Sequence, residues 1–80
     1  MTTKTKDLET AARDALNEVR ALGQETRLKV HLASMDAKVA WTRIEPKLAQ
    51  AERDALEVSS TALHRIQETA ANLREFLASL

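Results

Sequence analysis

Leu28 to Leu48 reads LKVHLASMDAKVAWTRIEPKL, and this stretch decides the fold. Placed on a helix at 100° per residue, Leu28, Leu32, Met35 and Val39 form one narrow apolar stripe. Val30, Ala33, Ala37, Ala40, Trp41, Ile44 and Leu48 form a second stripe on the opposite side. Lys29, Asp36 and Arg43 lie along one flank between them, and His31, Ser34, Lys38, Thr42 and Glu45 along the other. A helix with two opposed apolar stripes must be covered on both. One neighbouring helix covers only one of them, so at least two neighbours are expected.

Working outward, Leu8, Ala12, Ala15, Val19 and Leu22 alternate in steps of four and three, the heptad spacing that keeps them on one helical face. Gly23 interrupts this run at a cost of about 1 kcal/mol relative to Ala. It either caps the end of a first helix or is tolerated where another helix comes close. No Ser, Thr, Asp or Asn follows it directly to start a new helix, which favours the second reading. On the C-terminal side Leu56, Ser59, Leu63, Ile66, Ala70, Leu73, Leu77 and Leu80 keep an unbroken three-and-four register. That seam predicts packing against a partner helix. Leu56, Leu63, Ile66, Leu73 and Leu77 supply its bulk, and Ser59 is expected to fit a tight contact and bond a carbonyl one turn back.

Pro46 is the only proline and the strongest helix breaker. It divides the heptad-bearing chain into arms of similar length. The expected architecture is therefore all-α, a long antiparallel αα-hairpin turning near residues 43–47 and associating into a helical bundle. A kinked continuous helix in a coiled coil and three shorter helices are the alternatives. Thr42-x-x-Glu45 matches a capping box, which would let a helix restart there. Residues 1–5 are expected as an N-terminal tail, and residues 6–80 as one helical domain.

Composition agrees with an all-α class. The chain has 80 residues and is 44% hydrophobic, with one Gly, one Pro, no Cys, one Trp and one Phe. Turn formers are too scarce for a β-rich fold, and Ala, Leu, Glu, Lys, Arg and Gln lose least on entering a helix. So short a chain has a small core, and with no disulfide available self-association is the expected remedy. Twelve Lys and Arg balance twelve Asp and Glu, so no net field draws nucleic acid or an anionic membrane. No more than three apolar residues occur in a row, and no apolar run follows the N-terminal lysines; a cytoplasmic location is expected.

Chemistry is poorly provided for. His31 and His64 are the only histidines, and neither has a Glu three residues before it, as inward-facing metal ligands in a bundle would need. One glycine cannot build a phosphate-cradling loop, and Ser59-Ser60-Thr61 near His64 has no turn to expose a nucleophile. A non-enzymatic chain without metal or cofactor is expected. The residues from Leu28 to Lys38, followed by Trp41 and Glu45-Pro46, resemble a segment of short, uncharacterised bacterial helical proteins. The resemblance covers about a quarter of the chain, implies a bacterial cytoplasmic setting and carries no activity.

The expected function is that of a self-associating structural or adaptor protein working by helix–helix recognition. Leu28, Leu32, Met35, Val39, Trp41 and Ile44 are its expected interface residues, and a dimer of hairpins forming a four-helix bundle its expected assembly. A regulatory module that folds on a different protein is the alternative, and an amphipathic lipid-surface role a minor one.

Overall fold

A computed structural model describes residues 2–57 and 59–80, and the side chains from Asp7 onward within them. Three helices account for most of these residues: α1 (Thr2–His31), α2 (Met35–Asp54) and α3 (Ser60–Ser79). All three pack against one another, α1 with α3 most extensively. The molecule measures 49 × 16 × 14 Å. The 30 residues of α1 make a rod of about 45 Å, so this helix runs nearly the full length. It takes in residues 2–5, which the sequence sets aside as a tail.

The all-α class is as expected, but the turn near residues 43–47 is not there. The chain reverses at residues 32–34 and again after Asp54, giving the three-helix alternative. At the first reversal the end of α1 tightens: Leu32 N–H donates to Lys29 O at 3.2 Å, and Ala33 N–H to Val30 O at 3.0 Å. Ser34 then adopts extended geometry and its Oγ accepts from Ala37 N–H at 3.3 Å, capping α2. Asp36 places negative charge in the first turn that follows. At the second reversal Ser59 does the same for α3, accepting from Ala62 N–H at 3.1 Å. Its role is thus a cap, and its hydroxyl does not bond back along a seam.

α2 continues through Pro46 because that residue is exposed. The carbonyl that loses its helical donor, Thr42 O, lies on the same open side, where solvent can satisfy it. The capping box at Thr42 does not form. Thr42 Oγ1 donates to Val39 O at 2.6 Å, while Glu45 pairs with Arg27 of α1 at 3.2 Å.

Cross-helix pairs give the directions. Arg20 meets Glu52 at 3.0 Å and Arg27 meets Glu45, so α1 and α2 run antiparallel. Arg65 meets Asp54 at 3.7 Å, and Trp41 stacks on Phe76 with centroids 6.2 Å apart, so α2 and α3 are antiparallel too. Glu18 and Arg74 tie α1 to α3. The core consists of Ala12, Ala15, Leu16, Val19, Val30, Trp41, Ala51, Ala62, Ile66, Ala70 and Leu73. Its many alanines let the helices approach closely.

Candidate interaction surface

The six expected interface residues divide. Leu28, Leu32, Met35 and Val39 are 70%, 87%, 73% and 49% exposed. Leu28 stands on the last turns of α1, Leu32 in the reversal, and Met35 and Val39 on the first turns of α2, so all four occupy one end of the molecule. Trp41 is 7% exposed and Ile44 is half-buried against the core. Trp41 spends its indole face on Phe76 within the same chain and has little left for a partner.

The physical cause is the arrangement of neighbours around α2. Its Trp41, Ile44 and Leu48 side meets α1 and α3. Those two helices fill the room on that side, and Met35 and Val39 on the other are left exposed. Within α2 the two opposed sides are present, one closed by the chain itself and the other open. The stripe drawn from Leu28 to Val39, however, is not one helical face: the reversal at residues 32–34 divides it between α1, the turn and α2.

The C-terminal seam also divides. Ile66 and Leu73 are fully buried, and Leu63 and Leu77 partly so. Leu56 is 84% exposed and does not belong to it. α2 ends at Asp54 and α3 begins at Ser60, so no helical register links Leu56 to Leu63. Ala62 and Phe76 join the α3 face that the heptad count omits.

Two buried polar residues escape a reading based on apolar spacing. Thr26 is fully buried, and its Oγ1 donates to Leu22 O at 2.6 Å. Asp54, also buried, accepts from Gln50 Nε2 at 3.1 Å and faces the Arg65 guanidinium. Both are satisfied within the fold, as burial of polar atoms requires. No buried side-chain nitrogen or oxygen among the described residues lacks a partner.

A groove of about 350 Å³ runs between α1 and α2 beside Gly23 and Leu48. The Arg20–Glu52 and Arg27–Glu45 pairs line it and neutralise one another. A broader, shallow depression of about 590 Å³ lies between Arg13, Leu16 and Leu56. His31 is exposed at the end of α1, and His64 lies 3.5 Å from Glu68 on the outside of α3. Among the described residues no three His, Cys, Asp or Glu side chains are grouped to hold a metal ion. No helix among them is long and apolar enough to cross a membrane.

No protein-family model, no curated protein and no solved structure matches this chain.

Proposed function

We propose that this chain is a non-enzymatic, cytoplasmic helical module that self-associates and serves as a structural or adaptor element by helix–helix recognition. The observation that carries the reading is the cluster of Leu28, Leu32, Met35 and Val39 left in solvent at one end of the molecule. Large apolar side chains scattered singly on a surface need no explanation, but four within twelve residues mark an association surface. Covering each of them stabilises a complex by roughly 1.5–3 kcal/mol before the costs of association. Since the chain carries no formal net charge, two copies approach without mutual repulsion. The contact would be a four-helix arrangement, with the end of α1 and the start of α2 contributed by each copy.

Leu32→Asp and Met35→Asp test this. Both residues are exposed, so the three-helix fold should survive with unchanged helical circular dichroism. Sedimentation equilibrium should show wild-type chains associating and both variants as monomers. An unaltered mass for both variants would remove this end from the interface.

A further inference from the structure

The exposed face of α2 carries more than an apolar strip. Met35, Val39, Thr42 and Pro46 are all exposed, and their spacing of four, three and four reads the same from either end. A strip of that kind can pair with itself only about one centre, between residues 40 and 41. In an antiparallel pairing Met35 then meets the partner's Pro46, and Val39 the partner's Thr42. Thr42 fits such a contact because its hydroxyl is already bonded to Val39 O within the helix. Leu32, in the reversal just before Met35, adds apolar surface at both ends.

The charges beside the strip obey the same symmetry. Asp36 and Arg43 are seven residues apart, within about 20° of each other on one flank. Lys38 and Glu45 repeat the arrangement with reversed signs on the other flank. In an antiparallel helix pair each flank faces its own counterpart, so Asp36 would face the partner's Arg43 twice over. The second flank would likewise set Lys38 against the partner's Glu45, which Arg27 already holds, so the Asp36–Arg43 flank is the one independent of it. A parallel pair would set the two flanks against each other and call on Glu45 along both seams. Asp36 and Arg43, by contrast, are both exposed, and neither takes part in an ion pair among the described residues.

From this self-complementary strip and its flanking charges we infer that the partner is a second copy of this chain, docked α2 against α2 in antiparallel orientation about a two-fold axis near residues 40–41. The inference rests on the self-association proposed above and specifies its geometry. Such an isologous contact closes on itself and yields a dimer.

Asp36→Arg and Arg43→Asp, alone and mixed, separate this geometry from the others. In either homodimer both charge pairs turn repulsive, and association measured by sedimentation equilibrium should weaken about tenfold. In an equal mixture the introduced arginine faces the introduced aspartate and the unchanged Arg43 faces the unchanged Asp36, so wild-type affinity should return. Parallel pairing predicts no such recovery, since the introduced charges would still meet like charges on the opposite flank.

The chain has no cysteine of its own, which permits a second measurement that reverses no charge sign. A short thiol-reactive linker should join Asp36→Cys chains to Arg43→Cys chains faster than it joins either to itself. Single variants as tight as wild type, a mixture no tighter than its components, or linking without preference would overturn the antiparallel geometry. Wild-type chains that stay monomeric at every concentration would overturn the self-association beneath it as well.

Discussion

Gly23 shows what one missing methyl does in so thin a molecule. A Cβ built on it would lie 3.1 Å from Leu48 Cδ1 and 3.2 Å from Cδ2, so the glycine makes room for α2 to settle against α1. In a helix interior Gly costs about 1 kcal/mol relative to Ala. Gly23→Ala recovers that amount but must displace a leucine side chain by a few tenths of an ångström. The two effects oppose each other, so in the wild-type chain the substitution should change stability by less than about 1 kcal/mol. With Leu48→Ala the obstruction is gone, and the same change should stabilise by about 1 kcal/mol. Urea denaturation of the four chains in this cycle checks it, and equal effects in both backgrounds would deny the coupling. That the helix continues through Gly23 is legible from the absence of any cap residue after it. That the neighbour is Leu48 is not, because the contact joins residues 25 positions apart.

At the scale of the element, the breaks fall at serines and the proline is absorbed. Ser34 with Asp36 two residues later, and Ser59 before Ser60-Thr61, are the cap signatures that the apolar periodicity hides. Stripes drawn across Leu28–Leu48 assume one unbroken helix, and on that assumption Ser34 is only a flank residue. Pro46 is the stronger local signal, yet its cost of about 3 kcal/mol is borne by a helix whose other face is held by the core. Pro46→Ala restores the missing backbone hydrogen bond on an exposed face. It should stabilise the chain by about 1–2 kcal/mol after allowing for the freer unfolded state. Thermal melts followed by circular dichroism, at concentrations low enough to keep the chain monomeric, should show a raised midpoint. A lowered midpoint would mean that the proline serves the folded helix.

For the whole molecule, the slender shape and alanine-rich core leave few large side chains to hold three helices together. Ile66, Leu73 and Val19 are the largest fully buried apolar ones. Truncating one of these costs about 2–5 kcal/mol. A core this small supplies only about 3–5 kcal/mol net. Ile66→Ala should therefore abolish the cooperative melt of the monomer at 25 °C, while a sharp transition within a few degrees of wild type would place the main stabilisation elsewhere. Association would add stability by mass action, so the melting midpoint of the wild-type chain should rise with its concentration.

The all-α class, the α3 seam through Ile66, Ala70 and Leu73, and the two-sided character of the α2 segment from Met35 to Leu48 follow from the sequence, because composition and short-range periodicity encode them directly. Tertiary structure alone decided where the chain reverses, which stripe is closed, and that Trp41 faces inward toward Phe76. Each of those outcomes depends on distant helices competing for the same apolar face. A proline on the open side of a packed helix can be carried, whereas a serine at the end of one can cap the next, and only the finished packing ranks the two.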